Sequence, residues 1–178
     1  MSARRDTRPT EGLVLIAYDG SEEAIEALEF AAALLPRARA VVLTVWKPMV
    51  EEALSPAAKP PVTDLAGANQ HQREAARQLA REGARLAAAA GMTAEPLTLE
   101  ADGPVWAAID SVAEDRDAVL IVCGTRRTGL RSALPGNLSN TLVTHASRAV
   151  LVVPSAKARA SRLRDVEEER REHRAVPT

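Results

Sequence analysis

The stretch that decides the fold is Asp117–Ser147, DAVLIVCGTRRTGLRSALPGNLSNTLVTHAS. It opens on Val119-Leu120-Ile121-Val122-Cys123, an apolar run too short for a core helix and rich in β-branched residues, which predicts a strand buried on both faces. At Gly124 the character changes. Thr125-Arg126-Arg127-Thr128-Gly129 is polar and basic, with a glycine that permits positive φ. Gly136 follows Pro135 and precedes Asn137, a strong N-cap residue, and beyond it Leu138, Leu142 and Ala146 recur at helical spacing. Strand, basic glycine-containing loop and helix N-terminus in that order place an anion site at the carboxyl edge of a parallel sheet.

Working outward, the same alternation repeats. Leu13–Ala17 is an apolar run closed by Tyr18-Asp19-Gly20-Ser21, where Ser21 caps a helix whose first turn carries Glu22 and Glu23. Ala24, Leu28, Ala31 and Leu35 mark its buried face, and Pro36 stops it. Val41–Trp46 is a second buried strand, completing a parallel βαβ unit. Lys47–Thr63 holds four prolines and no apolar period, which predicts a loop or lid. A long helix from Asp64 is expected to bury Leu79, Gly83, Leu86 and Ala90 and to end at Gly91. Pro96 within Thr93–Leu99 predicts an edge strand, and Pro104 a helix with proline in its first turn. Val105, Ile109 and Val112 give that helix its buried face, and the last strand is Ala149–Val153, closed by Pro154. Five strands alternating with helices specify an α/β fold, a doubly wound five-stranded parallel sheet with helices on both faces.

The totals bound the function. The 178 residues fit one domain, read here as residues 12–154, with a flexible leader at 1–11 and a charged tail at 155–178. Aromatic residues are only 2%, so the core must be aliphatic. A net charge of −1 argues against general affinity for nucleic acid or anionic membranes. No apolar stretch of about eighteen residues is present to span a bilayer. One cysteine excludes an intrachain disulfide and fits a reducing, cytoplasmic compartment. Cys123 reads as a buried, inert thiol, and no Cys/His cluster has metal-ligand spacing. In the tail, seven Lys/Arg and five Asp/Glu are mixed through Lys157–Arg174 around Leu163 and Val166, the pattern of a solvated helix or disorder. No nucleophile elbow, P-loop or dinucleotide fingerprint occurs, so no catalytic constellation emerges.

Gly124-Thr125-Arg126 after an apolar strand, Gly136 opening a helix, His145-Ala146-Ser147, and Val150–Pro154 together resemble the carboxyl half of the universal stress protein family. The resemblance covers roughly Gly12–Pro154. It implies strand order 3-2-1-4-5, and often a homodimer through the fifth strand at Val150, Leu151, Val152 and Val153. That order sets the first and fourth strands side by side, so Asp19 and Gly124 would face one crevice. It also implies an adenine nucleotide, ATP with Mg. Ala17, Asp19 and the backbone of Val45 would lie at the nucleoside; Gly124, Arg126, Arg127, Gly129, Gly136, Asn137 and Leu138 would lie at the phosphates. The family's nucleotide-binding branch carries glycine, two residues, glycine, nine residues, glycine, then Ser or Thr. Here the outer spacing is one residue short. Arg127 stands at the middle glycine, with Gly129 as the nearest substitute, and Asn137 replaces Ser or Thr.

Each of these residues also has a plain structural reading. Asp19 can serve its own Asp-Gly-Ser turn, the arginines can be a solvated loop, and Trp46 and Trp106 can be packing residues. Three functions stay open: an ATP-binding regulatory or stress-response module, a dimeric module that binds no nucleotide and acts through protein partners, and a small adenylating or thiolating enzyme using Cys123 or Asp19. The first is not an enzyme beyond slow ATP hydrolysis.

Overall fold

The computed structural model describes residues 12–49, 65–125, 138–157, 159–160 and 164. Nine elements alternate along the chain: β1 (Leu13–Ala17), α1 (Glu22–Leu34), β2 (Arg39–Trp46), α2 (Leu65–Ala89), β3 (Thr93–Glu100), α3 (Val105–Asp115), β4 (Ala118–Gly124), α4 (Leu138–His145) and β5 (Ala149–Val153). The strands form one sheet in the order β3-β2-β1-β4-β5, every neighbouring pair parallel.

Two aliphatic cores cover the two faces of that sheet. On one face α1 and α2 bury Ala27, Leu28 and Ala84 against Val14, Ile16, Val42 and Val122. On the other, α3 and α4 bury Ile109 and Leu142 against Leu15, Val41, Leu43 and Ile121. Alternate residues of each central strand thus feed opposite cores, which is why β1, β2 and β4 read as unbroken apolar runs rather than as alternating ones.

The long helix differs from the expectation in which residues it buries. Its deepest stripe is Ala76, Ala80, Gly83, Ala84 and Ala87, while Leu79 and Leu86 are only partly buried and Ala90 is exposed. Small side chains let the helix axis come close to β2 and β3, and the two leucines close the flanks of that contact. Pro104 also differs: it is the cap residue preceding α3, with φ −62° and ψ 137°, not part of its first turn.

β3 lies at the sheet edge, as Pro96 requires. The amide of Ala101 donates to the carbonyl of Trp46, 2.9 Å, and main-chain groups alternate sides along a strand. The nitrogen of Pro96 therefore falls on the outer side of β3, where the ladder needs no donor.

Candidate functional site

The site is built where the winding of the sheet reverses. β1 is flanked by β2 on one side and β4 on the other, so the connections leaving β1 and β4 diverge above their carboxyl ends and leave a crevice. Three strand tips border it: Ala17–Asp19 after β1, Val45–Trp46 at the end of β2, and Gly124–Thr125 at the end of β4.

Asp19 sits in the turn into α1 and is exposed. Its Oδ1 accepts the amide of Ser21 at 3.0 Å and the Ser21 hydroxyl at 2.6 Å. The Ser21 oxygen in turn accepts the amide of Ala24 at 3.2 Å, capping α1. The turn depends on Gly20, whose φ of 77° is costly for any side chain. Asp19 is therefore at least a turn-forming residue, with the carboxylate fixed over the start of α1.

Gly124 has a packing reason of its own. A Cβ there would overlap the carbonyl of Glu23 in the first turn of α1. The tip of β4 and the start of α1 thus touch, which brings Asp19 and Gly124 to the same crevice as expected. Beyond Gly124, Thr125 hydrogen-bonds through its amide to Val153, 3.1 Å. Arg126, Arg127, Gly129, Gly136 and Asn137 lie outside the described residues. Leu138 opens α4 and packs partly buried against the core beneath it.

The backbone of Val45 is placed by the ladder. Tyr18 donates its amide to Leu43, 2.9 Å, so Leu43 faces β1, and Val45, two residues on, faces the same way. By then β1 has given way to the turn. Among the described residues no main-chain hydrogen bond joins Val45 to the β1 side. The side chain of Thr44 uses the neighbouring carbonyl of Tyr18, 2.9 Å. A planar group with an adjacent donor and acceptor could take the place that a longer β1 would have filled. The donor set suits the nucleoside end of an adenine nucleotide. It does not suit a metal held by protein alone: no group of three or more metal-ligating side chains occurs among the described residues.

Several contacts around these strand ends join elements that are distant in sequence. Arg73 of α2 lies over the Trp46 ring, 5.3 Å from its centroid, and pairs with Glu100 at 3.1 Å. Trp46 is thus a covered packing residue. Asn69 clamps the segment leaving β2, accepting the Met49 amide at 2.7 Å and donating to the Met49 carbonyl at 3.3 Å. Trp106 stacks obliquely on His145, 5.2 Å between ring centroids. Tyr18 is buried against Gly83 with its hydroxyl lacking a hydrogen-bond partner among the described residues. Burial first, then the carboxylates of Glu82 and Asp19, hold that phenol above its ordinary pKa. Cys123 is buried as expected, and burial pushes its thiol up to about 11.

A sequence profile of the universal stress protein family matches residues 13–154. The chain belongs to the universal stress protein family. Solved structures agree on the fold. The hypothetical protein MJ0577 superposes with a TM-score of 0.61 at 21% identity, covering 82% of this chain and 97% of its own. A universal stress protein in complex with cAMP gives 0.59 at 21%, covering 81% and 97%. The universal stress protein of Archaeoglobus fulgidus in complex with dAMP gives 0.51 at 19%, covering 80% and 96%. No curated protein matches the chain by sequence. No helix of this universal stress protein is long and apolar enough, among the described residues, to cross a membrane.

Proposed function

We propose that this universal stress protein binds an adenine nucleotide in the crevice above β1 and β4 and acts as a cytoplasmic regulatory or stress-response module. The observation that carries the reading is the backbone of Val45, turned toward a strand that has already ended. Adenine would take that edge, with Ala17 beneath it and Asp19 near the ribose or a phosphate-bound Mg ion. Gly124, Gly129, Gly136, Asn137 and Leu138 would hold the phosphates through main-chain amides, with Arg126 and Arg127 supplying charge. Two structural neighbours were solved with adenine nucleotides, cAMP and dAMP, which supports the adenine end of this assignment. No residue is assigned a catalytic role, and turnover of ATP would be slow and incidental.

A second reading rests on the shortened loop motif and on Gly124. Because that glycine is needed against Glu23 whether or not a phosphate is bound, its presence alone does not argue for a ligand. On that reading the protein is a dimeric module that works through protein partners.

Titration calorimetry with ATP, AMP and cAMP, with and without Mg, decides between them. Nucleotide binding predicts a dissociation constant in the micromolar range, about −7 to −8 kcal/mol. Arg126→Ala should then weaken ATP about tenfold and cAMP less, since the loss falls on the outer phosphates. No heat with any of the three at millimolar concentration would leave the second reading standing.

A further inference from the structure

We propose that Arg73 of α2 is a positioning residue for the crevice: it clasps the ends of β2 and β3 together and so fixes the backbone of Val45 where a base would pair with it. This role rests on the binding of adenine at Val45, and it accounts for what keeps that edge in place. The edge is poorly supported by the sheet alone. β1 leaves the ladder at Ala17, opposite Leu43, and the Tyr18 amide makes its last main-chain bond, to the Leu43 carbonyl. β2 and β3 run on together through Thr44 with Thr98, Val45 with Leu99 and Trp46 with Glu100. Because β3 is the sheet edge, the end of β2 is half of a two-stranded ribbon. Such ribbons twist strongly and are marginal on their own.

Arg73 holds the ribbon at its last pair. Its guanidinium lies 5.3 Å from the centroid of the Trp46 ring and donates to Glu100 Oε2 at 3.1 Å. Trp46 and Glu100 are direct register partners whose side chains share a face, so one arginine grips both strands at the same rung. With Arg73 half exposed, the ion pair by itself would contribute little. A guanidinium can stack through its face and donate in its plane at once, and each contact holds it ready for the other. One turn earlier on α2, Asn69 accepts the Met49 amide at 2.7 Å and donates to the Met49 carbonyl at 3.3 Å, tying the chain that leaves β2 to the same helix. α2 is in turn seated on the sheet through Ala76, Ala80 and Gly83, and its Leu79 packs against Gly20 in the Asp19 turn. The helix thus sets the base edge on β2 against the carboxylate that follows β1.

Arg73→Ala in the full chain tests the role at two levels. Without ligand, amide exchange should quicken about tenfold at Ala101, whose amide bonds to the Trp46 carbonyl, and stay unchanged at Tyr18, bonded to Leu43 before the ribbon begins. Calorimetry with adenosine and with ATP then reads the site. Both should bind the variant about tenfold more weakly, by the same factor, because the loss falls on the base they share. Unchanged exchange at Ala101, or exchange that quickens equally at Tyr18, would overturn the clasp. Quickened exchange at Ala101 with adenosine bound as tightly as by the parent would overturn the positioning role and leave the adenine reading intact. A loss confined to ATP would also overturn it, by placing Arg73 at the phosphates. A parent chain that binds no adenosine or ATP would overturn the adenine reading itself and the positioning role with it.

Discussion

Two buried groups at neighbouring strand ends make stability depend on alkaline pH. Cys123 and Tyr18 both have their neutral forms favoured by burial, so their native pKa values lie above those of the unfolded chain. The stability they confer is complete below the unfolded values, near 9 for the thiol and 10 for the phenol. It is lost as pH rises toward the folded values, because the unfolded chain then sheds protons that the native chain keeps. For Cys123, a rise to about 11 corresponds to roughly 2 kcal/mol lost between pH 9 and 11. Urea unfolding at pH 7, 9 and 10.5 should show this alkaline decline, and Cys123→Ala should flatten it after a pH-independent loss of about 1 kcal/mol in packing. Tyr18→Phe should flatten the upper part of the same limb. It should also cost little at pH 7, since the phenol hydroxyl has no partner among the described residues to lose. A decline equally steep in both variants would show that other groups set it.

At the level of elements, the contact between the tip of β4 and the first turn of α1 holds the crevice together. Gly124→Ala would push a methyl into the Glu23 carbonyl, and backbone on both sides leaves nothing flexible to give way. Such overpacking should cost about 1–3 kcal/mol, read as a lower urea midpoint at unchanged slope, with no nucleotide present. A variant as stable as the parent would return Gly124 to a purely ligand-facing role. The sequence shows a glycine at this point and assigns it to phosphate, because the spacing of motifs carries no information on which helix passes close by. The strands were more legible. Val119–Cys123 and Leu13–Ala17 are buried on both faces, and continuous apolar runs can be read without knowing their neighbours. Pro96 announced an edge through its missing donor. On α2 the sequence places Gly83, Leu79 and Leu86 at the core, and all three lie there, but it ranks the leucines above the alanines that go deepest, because close approach to the sheet favours the smaller residue. The Arg73–Trp46–Glu100 contacts join three elements, and nothing local signals them.

For the whole molecule, the unpaired side of β5 decides whether the protein assembles as the family resemblance implies. β5 pairs only with β4 among the described strands, and Val150, Leu151 and Val152 are half-buried, so an apolar strand edge is open to a partner. The ladder tells which amides point outward. Thr125 donates to the Val153 carbonyl, so Val153 and Leu151 face β4, while Val152 and Val150 turn their amides away from it. A twofold dimer through this edge would use those two donors in an antiparallel pair. Val152→Pro removes one outward amide and leaves the β4 ladder intact, a position where proline is tolerated. Leu151→Pro breaks the ladder itself. In sedimentation at tens of micromolar, the parent should run as a dimer and Val152→Pro as a folded monomer, with its melting temperature lowered by no more than the lost association explains. Leu151→Pro should instead unfold several degrees earlier whatever its mass. If the Val152 variant keeps the parent's dimeric mass, the pairing runs through another surface, and the flank of α1 where Phe30 and Leu34 are exposed becomes the next place to look.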